Sequence, residues 1–314
     1  MEKKNNILKK PVFVCLLSLF CCMLWGSAFP AVKKGFHLFE IPSSDIGSQL
    51  LFAGIRFATA GIMVIIITSI ISKKVLYPKK KSIGKVFIIS LFQTVIQYFF
   101  YYIGLARTSG VKASVIIGTS VFITLILSSL IFKLENLTTK KIVGCIIGFI
   151  GVMIINMNGF SYDFSFTLTG EGFILISTVA SAFSSVIMKK FSKDDNPMML
   201  SGWQFFIGGI LLSAVGFSLG GRITFSGASS VILMLYLAFI SAAAYTLWSL
   251  LLKHNPVSEI SVYGFTKQIF GVLLSAVFLG EVAEAMSINS LLSLILVCAG
   301  IFVVNYHKDK CENK

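Results

Sequence analysis

Residues 109–135 read SGVKASVIIGTSVFITLILSSLIFKLE, and residues 255–281 read NPVSEISVYGFTKQIFGVLLSAVFLGE. Both are long apolar runs ending on a glutamate, and Gly110 lies as far from Glu135 as Pro256 lies from Glu281. The likeness continues downstream, where GFIGVMIIN (148–156) matches LVCAGIFVVN (296–305), and upstream, where FPAVKK (29–34) matches SSVIMKK (184–190). The chain is an internal duplication, and what is duplicated decides the fold.

Apolar stretches of about 17–25 residues are long enough to cross a hydrocarbon layer as helices. Ten are present, at 12–32, 46–71, 84–106, 111–132, 141–157, 169–188, 198–219, 228–252, 257–280 and 287–306. Their continuity excludes an outer-membrane barrel, whose strands alternate over about ten residues. Of the 314 residues 56% are hydrophobic and 13% charged, against roughly 25% charged in soluble domains. The expected fold class is an all-α polytopic membrane protein with ten transmembrane helices. Each copy holds five spans, an odd number, so the second enters the membrane from the opposite side, giving two inverted-topology five-helix repeats. The expected organisation is a cytoplasmic N-terminal segment (1–11), a first repeat (12–157), a second repeat (169–306) and a cytoplasmic tail (307–314).

The net charge of +14 would suggest nucleic acid as partner of a soluble protein, but its distribution points to the bilayer instead. With the N-terminus inside, the cytoplasmic segments hold 20 Lys and Arg and the outer segments 5. By the positive-inside rule both termini are cytoplasmic and the chain is multi-pass in the cell membrane. The basic start followed by an apolar run imitates a signal peptide, yet the run is too long and no clear A-x-A site follows. The six cysteines show no C-x-x-C pairing, and His37, His254 and His307 have no partner at metal-ligand spacing. Neither a disulfide framework, a metal nor a cofactor is expected.

The chain resembles the ten-span EamA type of the drug/metabolite transporter superfamily. The resemblance rests on WGSAFPAVK (25–33), LLFAGIRF (50–57), Y-x-x-G-L-A (101–106), PVSEISVYGF (256–265) and the two glutamate-terminated spans, and it covers nearly the whole length. It implies a secondary transporter working by alternating access, with export as the direction. Family members commonly carry a proline in the middle of spans four and nine, where this chain has Val121 with Phe122 and Lys267 with Gln268.

Charges inside a bilayer are costly, about 2.5–3.5 kcal/mol each on insertion scales, and they mark function or structure. Two qualify. Arg56 lies ten residues into span two and reads foremost as a structural or gating charge. Lys267 lies near the centre of span nine, too deep to snorkel. No acidic residue lies in the middle of any span, so a substrate carboxylate is a natural counter-ion for it, beside proton coupling or simple tethering to carbonyls. Polar and aromatic residues recur at helical spacing on several spans and should face inward, because lipid cannot satisfy them. The candidate substrate-binding set is Trp25, Gln93, Gln97, Tyr101, Ser181, Tyr245, Trp248, Tyr263, Lys267 and Gln268. Gly144, Gly148, Gly151, Gly208 and Gly209 would permit close helix approach, and Glu135 and Glu281 read as anchors at opposite faces.

The expectation is export of a small amino-acid-like or related organic metabolite. A pore or a scaffold is the competing class. An integral-membrane enzyme fits poorly, because no nucleophile, base or metal cluster is present in the sequence.

Overall fold

A computed structural model describes residues 7–108, 110–155, 166–225, 227–279 and 288–306, and among them every regular element is a helix. Helix α1 (Pro11–Leu38) starts on a proline, whose missing N–H costs nothing in a first turn. At 28 residues it is about 42 Å long, more than a hydrocarbon core requires. Pro30 lies inside it, so the carbonyl one turn earlier, at Gly26, loses its amide partner.

Helix α2 (Ile46–Ser72) is capped by Asp45, which accepts hydrogen bonds from the Ser48 amide at 2.9 Å and the Ser48 hydroxyl at 2.7 Å. It ends at Lys73, in the left-handed conformation with φ 51°. Helix α3 (Lys80–Leu105) contains a π-helical stretch at Leu91–Ile96. Then follow α4 (Gly110–Gly118), α5 (Ser120–Ile126) with a π turn at Leu127–Ile131, and α6 (Thr139–Ile155). The second half holds α7 (Leu168–Phe191), α8 (Pro197–Ser218) and α9 (Ala228–His254). It closes with α10 (Val257–Ser261), a 3₁₀ turn at Val262–Phe265, α11 (Thr266–Leu279) and α12 (Ile288–Asn305).

Among the described residues, seven helices are long and apolar enough to cross a membrane: α1, α2, α3, α7, α8, α9 and α12. The other three predicted spans take a different form. Span five is the 17-residue helix α6, and spans four and nine are broken. Neither break needs a proline. In span four the Thr119 amide and hydroxyl both reach the Ile116 carbonyl, at 3.0 and 2.6 Å, instead of extending the helical ladder. In span nine the Thr266 hydroxyl donates to the Tyr263 carbonyl at 2.7 Å, closing the 3₁₀ turn. Threonine back-bonding of this kind competes with regular helix. The end of span nine, with Glu281, and the tail from 307 lie outside the described residues.

Helices of the first half pack against helices of the second. The seam between α2 and α8 is lined by glycine: a Cβ on Gly209 would fall on the backbone of Ala58, and one on Gly54 on that of Ser213. Between α6 and α12, a Cβ on Gly300 would lie 2.7 Å from the Gly148 amide nitrogen. Such seams replace side-chain interdigitation by backbone contact, the packing favoured where lipid offers no hydrophobic drive. The outer faces stay apolar, with Ile66, Ile70, Ile71 and Ile295 exposed. In water these would form a large sticky patch, and against lipid they are matched.

Candidate functional site

Helices α1, α3, α5, α7 and α9 and the α10–α11 segment enclose a cavity of about 430 Å³. Nine of the ten candidate binding residues line it: Trp25, Gln93, Gln97, Tyr101, Ser181, Tyr245, Trp248, Lys267 and Gln268. Arg56 lines it too. Tyr263 does not; it is buried, and its carbonyl accepts the Cys22 thiol at 3.2 Å. The 3₁₀ turn explains the placement, since three residues per turn takes Tyr263 off the face that an α-helix would share with Lys267.

The aromatic wall has defined geometry. The Trp25 ring meets Tyr245 edge-on at 4.9 Å and Trp248 at 5.0 Å. Tyr98 and Tyr245 bring their hydroxyls to 3.1 Å, so a hydrogen bond spans α3 and α9. Sequence reasoning missed Tyr98 and Tyr102, both on the lining. The π stretch just before them shifts the register of α3, so the regular spacing from Gln93 no longer marks the whole inward face. Thr124, Thr178 and Ser261 also line the cavity and carried no signal beyond being hydroxyls in apolar runs.

The two intramembrane cations sit against rings. The Arg56 guanidinium lies 4.2 Å over Phe57 and 5.6 Å over Tyr98, and the residue is 5% exposed. The Lys267 ammonium lies 5.2 Å over Trp25. Desolvated contacts of this type are worth about 2 kcal/mol, less than the several kcal/mol each ion loses on leaving water. Ion pairs join Lys85 with Asp194 and Asp195, and Lys141 with Glu135; among the described residues neither Arg56 nor Lys267 has one. Five buried polar atoms of the lining are also without a hydrogen-bond partner: Trp25 Nε1, Arg56 Nε, and Oε1 of Gln93, Gln97 and Gln268. Buried polar atoms are rarely left so, and a group of them around one space is a place for a polar ligand.

The two ends of the cavity differ. At one, the lining reaches Lys33 and Phe36 near the end of α1 and Leu105 at the end of α3. At the other, hydrogen bonds tie the elements together. Glu135 accepts from Lys141 Nζ at 2.7 Å, Ser128 Oγ at 2.6 Å, the Ser258 amide at 3.0 Å and the Ser258 hydroxyl. Burial opposes ionisation of this carboxyl, but the bonds from Lys141, Ser128 and Ser258 outweigh it and hold Glu135 below the usual carboxylate range. Lys189 donates to the carbonyls of Lys253 and Asn255 at 3.2 and 2.7 Å, and Asn255 donates to that of Leu8 at 2.9 Å.

The break positions bring Val121 and Lys267, matched by the internal duplication, close together: a Cβ on Gly264 would lie 3.9 Å from both the Val121 side chain and the Lys267 ammonium. Among the described residues no three His, Cys, Asp or Glu side chains converge as a metal site would need.

Comparison with known proteins places this arrangement. The EamA-like transporter family matches residues 12–157 and 168–306. An "Uncharacterized transporter" of Archaeoglobus fulgidus is 29% identical over 95% of this chain and 99% of its own length. A "Probable amino-acid metabolite efflux pump" of Escherichia coli is 23% identical over 92% of this chain and 93% of its own. A solved crystal structure superposes with a TM-score of 0.76 at 17% identity, covering 94% of this chain and 97% of the other, which speaks to the fold alone. With its apolar helices and matches to the family along both halves, the chain belongs to the EamA-like transporter family and is a membrane-embedded, multi-pass transporter.

Proposed function

We propose that the chain is a secondary transporter that exports a small amino-acid-like or related organic metabolite by alternating access. The observation that carries this reading is the 430 Å³ cavity among the helices, ringed by aromatic side chains, two cations and unpartnered amides. Lys267, Arg56, Gln93, Gln97 and Gln268 provide polar contacts; Trp25, Tyr101, Tyr245 and Trp248 form apolar walls; Ser181 adds a small hydroxyl. Tyr263 serves the packing of α1 against the α10–α11 segment rather than the substrate.

Ten membrane segments in two inverted repeats, 12–157 and 169–306, form the moving parts. The pairing of α2 with α8 and of α6 with α12 supports the repeat organisation, since each joins a segment of one half to its counterpart in the other. Both termini are cytoplasmic, on the 20-to-5 bias of basic residues. The end held by Glu135 and Lys189 is then the cytoplasmic gate, closed here, and the state is outward-facing. The name of the Escherichia coli relative supports export of amino-acid metabolites. Rocking of the halves would break the Glu135 to Ser258 link, which crosses 123 positions of sequence and joins the two halves.

Purified protein in liposomes tests the class. A carrier gives flux that saturates with substrate and is stimulated by unlabelled substrate on the far side; flux that stays linear and shows no counterflow assigns a pore instead. A thermal-shift screen over amino acids, nucleosides and organic acids supplies the substrate, because a ligand stabilises the folded form by mass action.

A further inference from the structure

The lining of the cavity is electrostatically one-sided. It contains Arg56 from α2 and Lys267 from α11, one from each half of the chain, and Lys33 near its mouth, but among the described residues no acidic one. Glu135 and Glu171, two carboxylates near the cavity-lining segments, are engaged elsewhere. Glu135 is held by Lys141 and Ser258, and Glu171 accepts from Thr108 at 2.6 Å and from the Thr167 amide at 2.8 Å. An amino acid entering this space brings a carboxylate that the cations favour and an ammonium that they repel. No described side chain of the lining offers the ammonium a counter-charge.

The unpartnered amides refine the ligand. Gln93, Gln97 and Gln268 each present an oxygen without a donor. Side-chain amides can also turn, presenting nitrogen where oxygen stood. A hydroxyl serves either orientation, because it both donates and accepts, whereas an ammonium only donates. The free Trp25 Nε1 and Arg56 Nε are donors and call for an acceptor such as a carboxylate oxygen. The Trp25 ring beside Lys267, with Tyr245 and Trp248 edge-on against it, completes the site with an apolar wall.

We propose that the cavity selects a 2-hydroxy carboxylate with an apolar or aromatic body over the amino acid of the same shape. The negative charge lies between Lys267 and Arg56, the hydroxyl among the glutamines and the body against the tryptophans. The inference rests on the transporter reading and narrows its substrate class.

Matched ligand sets test it on the purified full chain in liposomes. One set is phenyllactate, phenylalanine and phenethylamine; a second is 2-hydroxyisocaproate, leucine and isoamylamine. Each is scored by counterflow against its own labelled form and by thermal shift. The hydroxy acid of each set is expected to exchange at least about tenfold better than the amino acid, the equivalent of about 1.4 kcal/mol, and the amine not at all. Lys267→Gln and Arg56→Gln should each erase that preference. Lys267→Arg, which keeps the charge, should retain it and so separates recognition from misfolding. Amino acids carried as well as or better than their hydroxy acids, hydroxy acids that neither bind nor exchange, or a preference that survives Lys267→Gln would each overturn the proposal. Linear flux without counterflow for every compound would instead defeat the carrier reading beneath it.

Discussion

The seam between α2 and α8 and the cavity a few residues away are built from opposite choices. In the seam the chain places glycine, as at Gly54 and Gly209, and backbone meets backbone with no room for a single added carbon. Around the cavity it places Trp, Tyr, Gln, Lys and Arg, and leaves about 430 Å³ open with polar atoms unpaired. The seam contributes cohesion and the cavity consumes it. The helices are thereby held tightly together around a space left free for a ligand.

Adding bulk at the two places should therefore have opposite consequences. Gly209→Leu drives a side chain into the Ala58 backbone, and overpacking that usually costs about 1–3 kcal/mol costs more where backbone must move. The expected outcome is loss of the monodisperse peak in size-exclusion chromatography. Ser181→Phe enlarges a residue that faces open space. Its melting temperature should stay within about 3 °C of the parent, while transport falls at least about tenfold.

Between these extremes lies the closed end. Glu135→Gln weakens the bonds to Lys141 and Ser258, a loss of about 1–3 kcal/mol read in thermal melts. The same variant sharpens a pH prediction. The folded carboxyl of Glu135 is held low, so its contribution is present above the unfolded value of about 4.3 and is lost as pH falls through the folded value. Stability of the parent should decline on acidification below that point, and the Gln variant should decline less. The smallest effect belongs to Asp45→Ala, which removes the cap of α2 for about 1 kcal/mol and should leave transport unchanged.

The spans were legible because a long apolar run has few other uses, and span boundaries such as 46–71 and 228–252 fall within two residues of α2 and α9. The breaks in spans four and nine were not, because the threonines that make them, Thr119 and Thr266, look like ordinary small polar residues in an apolar run. Gly144, Gly148 and Gly209 stood out by clustering; Gly54 and Gly61 did not, since one glycine in seven residues carries no close-packing signature. Side chains such as Gln97 and Lys267 were found on the cavity because polarity inside a bilayer has to face inward. Tyr98 was missed and Tyr263 wrongly placed on the lining for a shared reason: a π stretch precedes one and a 3₁₀ turn contains the other, so regular spacing misplaces both. The Glu135 to Ser258 link is tertiary, and no local pattern announces it.

The central claim is that Lys267 holds the substrate in this cavity. Its direct test is counterflow by Lys267→Met, a neutral side chain of similar length, measured beside a melting curve in the same detergent. The account predicts a folded protein, at least as stable as the parent because a buried charge has been removed, whose saturable transport of carboxylated substrate is abolished. A variant that transports with unchanged KM and kcat would contradict it and take Lys267 out of the site.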